Sequence, residues 1–211
     1  MKRMIAVGTL IAGLLPGPGA AAAPRDWRFQ VRLDGRDVGQ HEFHLRESGE
    51  ASELKSEARF DVRILFVNLY AYQHSAVERW RGDCLESIES TTDDNGHPER
   101  VRGNRSPSGF AVTTGRDPVD LPGCVMTFAY WNRDFLRQPR LLNPQTGKYV
   151  AAQSRVVGPE TILVRGRPTS SIRHQLLAED AVIDIWYSPE GEWLGLASTV
   201  GGGHRLEYRL T

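Results

Sequence analysis

The residues able to do chemistry are few, and their spacing is unhelpful to most reactions. Six histidines stand at His41, His44, His74, His97, His174 and His204. A zinc site needs several ligands close together at characteristic spacings. Only His41 and His44 are near neighbours, and three residues apart on a strand they point to opposite faces. They read as surface or hydrogen-bonded histidines, and no metal is expected. Asp93-Asp94-Asn95-Gly96 superficially resembles a calcium loop, but an EF-hand alternates its ligands and adds a distal glutamate. Here the polar residues are consecutive, and Asn-Gly favours a tight type I′ turn. Neither Ser106-Pro107-Ser108-Gly109 nor residues 158–161 form the G-x-S-x-G elbow of a serine hydrolase. Ser170 and Ser171 stand near His174, yet nothing marks an oxyanion hole. Gly201-Gly202-Gly203 would cradle a phosphate only at the start of a helix, and residues 204–210 alternate like a strand. Asp61, Glu78, Asp134 and Asp184 lie in or beside apolar stretches. An acid and base pair would require them to converge, while Arg63, Arg79 and Arg173 offer ordinary ion pairs. No catalytic residue and no cofactor is assigned.

Cysteines and aromatics say more. Cys84 and Cys124 are the only two cysteines. In an exported chain an even count reads as one disulfide, closing a loop of about 40 residues for roughly 3–4 kcal/mol on the chain-entropy model. Neither C-x-x-C spacing nor a catalytic cysteine signature supports a redox or nucleophilic role. The densest apolar and aromatic stretch is 121–149, where Phe128, Tyr130, Trp131, Phe135, Leu136, Leu141 and Leu142 crowd together. Core packing is the ordinary use of such residues. The alternative is the lining of an apolar ligand cavity, for which Tyr70, Tyr72, Trp80, Phe128, Tyr130, Trp131 and Phe135 are the candidates.

Strands must position these side chains. Residues 26–33 alternate Trp27, Phe29, Val31 and Leu33 with Arg28, Gln30 and Arg32, the period of a strand with one wet face. Asp34-Gly35 signals a hairpin. Alternation continues over 38–47 and 51–67, with a bend near 66–68. Over 70–80 both faces are mixed, as expected where a strand looks into a partly apolar hollow. Further strands read at 84–91, 101–105 and 110–114. After the aromatic stretch come 149–157, 161–164, 171–177, 182–187, 193–199 and 205–210, separated by turns such as Gly158-Pro159, Gly166-Arg167-Pro168 and Ala178-Glu179-Asp180. Turns every eight to twelve residues describe a meandering antiparallel sheet or barrel. The predicted architecture is all-β, a curled half-barrel or barrel of about 11–13 strands, with a short helical plug near 127–137.

The chain of 211 residues opens with Lys2 and Arg3, an apolar run over 4–15, then small residues and prolines. That is the pattern of a secretory signal, too short for a permanent span. Cleavage after Ala22 would leave a single domain over 23–211, soluble and periplasmic, or else secreted, with no integral membrane segment. Loss of Lys2 and Arg3 leaves 24 basic against 26 acidic residues, which gives no electrostatic reason to bind nucleic acid.

GCVMTFAYWN (123–132), LLNPQTGKY (141–149), SEARFDVRILFV (56–67) and STTDDNG (90–96) resemble an uncharacterised family of exported proteobacterial proteins, known only as a domain of unknown function. The likeness spans nearly all of the mature chain, and the first two strings are the more specific. It transfers no catalytic residue. In plan the chain is similar to periplasmic lipoprotein carriers of the LolA/LolB type, which implies a curled sheet and nothing about activity. Three functions are expected in order: a carrier or binding module for an apolar ligand such as a lipid or acyl chain; an envelope assembly factor using an exposed edge strand and a protein partner; and a hydrolase with an unrecognised site.

Overall fold

A computed structural model describes residues 23–64, 67–179 and 181–211. The expected signal segment with its cleavage point, the residue pair 65–66 in the expected bend, and Asp180 lie outside the described residues. Within them the alternating stretches form fourteen strands. The first eight are β1 (Arg25–Leu33), β2 (Arg36–Ser48), β3 (Ala51–Ile64), β4 (Val67–Arg81), β5 (Cys84–Asp94), β6 (His97–Ser106), β7 (Gly109–Thr113) and β8 (Val119–Pro122). The remaining six are β9 (Arg140–Leu142), β10 (Tyr149–Val164), β11 (Arg167–Ala178), β12 (Ala181–Tyr187), β13 (Trp193–Val200) and β14 (His204–Leu210). All belong to one antiparallel sheet in the order β8-β7-β6-β5-β4-β3-β2-β1-β14-β13-β12-β11-β10-β9.

That order has a consequence for the chain's path. Every neighbour in the sheet is a neighbour in sequence except one, β1 with β14, which joins the two terminal strands in the middle of the sheet. The open edges are β8 and β9, and residues 123–139 run between them. The sheet therefore curls around its own longest connection, and the apolar 121–149 stretch becomes the filling. Val125, Met126, Ala129, Phe135 and Leu136 are buried in one core with Trp27, Phe29, Phe43, Leu45, Leu85, Ile88 and Tyr187 from the strands.

The expected helical plug is instead extended backbone with a single 3-10 turn, Arg133–Arg137, whose first free amide, Asp134 N–H, donates to the Asn132 side chain at 3.0 Å. Two points of backbone pairing hold the extended part. Leu85 N–H donates to Val125 O at 2.9 Å, and Leu142 N–H donates to Met126 O at 2.9 Å. Cys84 and Cys124 are bonded beside the first of these, their Cα atoms 5.0 Å apart.

Two further differences from the sequence reading have local causes. Gly158-Pro159, expected as a turn, lies inside the sixteen-residue β10, where the register shifts between Val156 and Gly158. Proline lacks the N–H for a ladder bond and is tolerated at an edge or bulge. On its outer side β10 is covered by β9 only over Tyr149–Ala151, so Pro159 leaves no ladder bond unmade there. The short strands β8 and β9 fall where prolines and crowded leucines hide any period of two.

Candidate functional site

Strand register lays the inner face of β2–β5 out in rows. One row reads Phe60 and Tyr72; the next reads His41, Ala58, His74 and Thr92; the next reads Phe43, Ser56, Ala76 and Ser90; the next reads Leu45, Leu54, Glu78 and Ile88. The middle of this wall is thus small and polar, framed by aromatic rings on one side and aliphatic residues on the other. The period of two forces this: β4 is read inward at Tyr72, His74, Ala76, Glu78 and Trp80, all buried.

His41, Ser56, His74, Thr92, Ser90 and Glu78 each have a hydrogen-bond partner, as burial demands. His41 bridges Ser56 Oγ at 3.0 Å and Tyr208 Oη at 3.3 Å, and its ring stacks on Phe43 with centroids 4.0 Å apart. His74 Nδ1 meets Thr92 Oγ1 at 2.9 Å. Burial lowers the pKa of both rings, that of His74 to about 4 and that of His41 well below the usual value with help from His74. Both are neutral at pH 7. The loop between β9 and β10 closes over part of the wall, with Ser90 Oγ donating to Pro144 O at 2.5 Å.

Tyr130, carried in from the plug, comes close enough to Tyr72 and Tyr208 for its hydroxyl to act on theirs. It stacks on Trp193 (centroids 5.1 Å, 23°) and meets Phe135 edge-on at 5.5 Å, while Tyr187 Oη donates to its carbonyl at 2.7 Å. Tyr130 and Tyr208 both keep part of their surface accessible. Burial raises the pKa of Tyr72, Tyr130 and Tyr208, so all three remain protonated.

Three rows beyond Tyr72 on β4, Glu78 is 4% exposed, and its Oε2 accepts from Thr127 Oγ1 of the plug at 3.1 Å. Burial pushes its carboxyl up to about 7, against the opposing effect of that hydrogen bond.

The seven aromatic candidates separate into two groups. Tyr72, with Tyr70 against it, belongs to a cluster with Val31, Ala58 and Phe60, joined by Tyr208. Trp80 and Phe135 are fully buried in the main core, with Phe128, Tyr130 and Trp131 packed against it. Tyr130 alone reaches between the groups. His41, Ser56, His74, Thr92 and Tyr208 were not among the candidates; the alternation Leu206-Tyr208-Leu210 is the signal that would have found Tyr208.

The other polar residues are dispersed. His44 pairs with Asp26 at 2.8 Å and His204 with Asp34 at 2.6 Å, both exposed. Asp61, Asp134 and Asp184 go separately to Arg59, Arg137 and Gln175. Ser171 donates to Glu160 O rather than to His174. Residues 93–96 form the expected turn, Gly96 N–H donating to Asp93 Oδ1 at 2.7 Å with Asn95 and Gly96 both at positive φ. Among the described residues no three His, Cys, Asp or Glu side chains are grouped to hold a metal ion, and no helix is long and apolar enough to cross a membrane.

A family model described as a domain of unknown function, DUF6134, matches residues 29–211. Among solved structures, the chain is similar to a beta-barrel-like protein of domain of unknown function DUF1849 from Brucella abortus. The TM-score is 0.66 at 11% identity, over 89% of this chain and 95% of that one. At this identity the likeness shows the fold alone. No curated protein matches.

Proposed function

We propose a function for a chain that belongs to the DUF6134 family, a domain of unknown function: it is an exported binding or carrier module whose ligand has an apolar body. The observation that supports this reading is the sheet wrapped round the aromatic stretch, with Tyr130 and Tyr208 partly accessible beside the aromatic cluster of its inner face. Sites for small molecules are concave and mostly apolar, with a few convergent polar groups. The aromatic cluster of Phe60, Tyr72 and Tyr208 supplies the apolar part. The Cys84–Cys124 bond suits an oxidising compartment, in keeping with the secretory pattern of residues 1–22. An assembly role through an exposed edge is the second reading. The strands β8 and β9 are four and three residues long, and short edges resist pairing with other chains, but β9 covers β10 only over Tyr149–Ala151 and leaves the rest of β10 as a longer edge.

N-phenyl-1-naphthylamine, an uncharged probe that fluoresces in apolar surroundings, tests this. Its emission should rise on titration with the mature protein and fall by more than half when Ala58→Leu fills the floor between His41 and His74. An unchanged emission with the wild-type protein, or an equal rise with a folded A58L variant, would sink the reading.

A further inference from the structure

We propose that the bare edge of β10 is a pairing surface for a second copy of this chain, the two β10 strands running antiparallel about a twofold axis between Val157 and Gly158.

The edge is long, and its free backbone groups can be counted from both ends. β9 covers β10 only over Tyr149–Ala151, and Ala152 N–H donates to Pro139 O at 2.9 Å on the same side. Backbone groups alternate in direction along a strand, so those of Ser154 and Val156 point the same way. At the other end Arg165 and Gly166, both at positive φ, link the partners Val164 and Arg167. Such a two-residue turn closes on a hydrogen-bonded pair. Counting back from it, Leu163, Thr161 and Pro159 face away from β11. Among the described residues these outward groups of 154–163 have no backbone partner. An uncovered edge of this kind is a template for another strand.

The register shift between Val156 and Gly158 makes the free groups symmetrical. Ser154 and Val156 face outward before it, Pro159 and Thr161 after it. The spacing is the same read in either direction, so in an antiparallel copy Ser154 meets Thr161 and Val156 meets Pro159. Proline leaves one donor missing in each Val156–Pro159 pair, while its carbonyl still accepts from Val156 N–H.

Charge selects the second copy and the same register. Arg155 and Glu160 are the only charged residues of β10. They share the outer face, where Arg155 donates to Gln175 and Glu160 accepts from Trp186. In the antiparallel pair Arg155 of each copy stands opposite Glu160 of the other, at a non-hydrogen-bonded position where side chains come closest. On the other face Val156 and Leu163 are 65% and 62% exposed, and pairing sets Val156 beside Pro159 of the second copy.

Sedimentation velocity of the mature protein from micromolar to near-millimolar concentration tests the proposal. The expected result is a shift from monomer to dimer as concentration rises. Arg155→Glu and Glu160→Arg each set like charges opposite one another twice per dimer, and each should weaken dimerisation at least about tenfold. An equimolar mixture of these two variants sets opposite charges at both positions and should recover the dimer. Val156→Lys, a charge on an exposed position of the edge, should give a monomer with native near-ultraviolet circular dichroism. A wild-type protein that stays monomeric throughout would overturn the proposal and leave the edge to a strand of a different protein. A dimer untouched by V156K would place the interface elsewhere, and a mixture no tighter than its two components would overturn the antiparallel register. This edge is separate from the aromatic interior, so pairing and probe binding are read independently.

Discussion

Three buried titratable side chains give this protein a pH dependence whose sign can be worked out residue by residue. Glu78 titrates near 7 in the fold and near 4.5 when exposed, so the folded state holds its proton more tightly. Its full contribution is present below pH 4.5 and is lost as pH rises through 7, an effect of roughly 3 kcal/mol. His41 and His74 act in the opposite direction. Their folded pKa values lie below the usual 6.5, so stability is full above pH 6.5 and falls as acid protonates the unfolded chain. Urea unfolding across pH 4–9 should therefore show a maximum, with Glu78→Gln flattening the alkaline side and His74→Asn the acid side. An E78Q profile that still declines above pH 6 would show that another group titrates there. The sequence marked Glu78 as a carboxylate among apolar residues, but Thr127, its partner 49 positions away, had no signal in the spacing. His41 and His74 were legible only as hydrogen-bonded histidines, since Ser56, Tyr208 and Thr92 reach them through strand pairing.

The plug is the element that makes the interior. Its entry is fixed to the start of β5 by the disulfide and by the Leu85–Val125 backbone bond, and its body by the Tyr130–Trp193 stack and the Tyr187 hydroxyl. Reducing Cys84–Cys124 frees a 40-residue separation, which should cost roughly 3–4 kcal/mol on the chain-entropy model. The midpoint of urea unfolding with and without reductant measures it. A drop in the same experiment in probe binding larger than the drop in folded fraction would indicate that the plug shifts before the sheet opens. The 121–149 stretch was legible as the place where alternation stops. Its conformation was not, because extended backbone that pairs at isolated points leaves no periodic mark, and only the 3-10 turn Arg133–Arg137 falls within the span expected to be helical.

At the scale of the molecule, the pairing of β1 with β14 joins the two halves of the sheet. β14 also pairs with β13, and Thr211 N–H donates to Arg28 O at 2.9 Å. Deleting residues 205–211 would expose two long strand edges and the Trp27–Phe29–Trp193 aromatic contacts beneath them. The truncated protein should fail to fold, with loss of near-ultraviolet circular dichroism and elution as aggregates. A monomer with native-like spectra would contradict the central place given to this pair. By contrast, β8 and β9 are ordinary short edges, closed off from each other by the connection they share.

Strand segments, most of their hairpins, the inward and outward faces and the cysteine pair were readable along the chain, because period two, turn residues and a count of two cysteines are local or combinatorial signals. Tyr70, Tyr72 and Tyr130 stood out as residues of interest on the same footing. Folding in three dimensions settled the rest: which strands meet across the sheet, that the aromatic stretch lies inside it, and that Tyr130 approaches Tyr72 and Tyr208. Those outcomes depend on closure. The β1–β14 pairing joins residues more than 170 positions apart in sequence, and no window along the chain contains both partners.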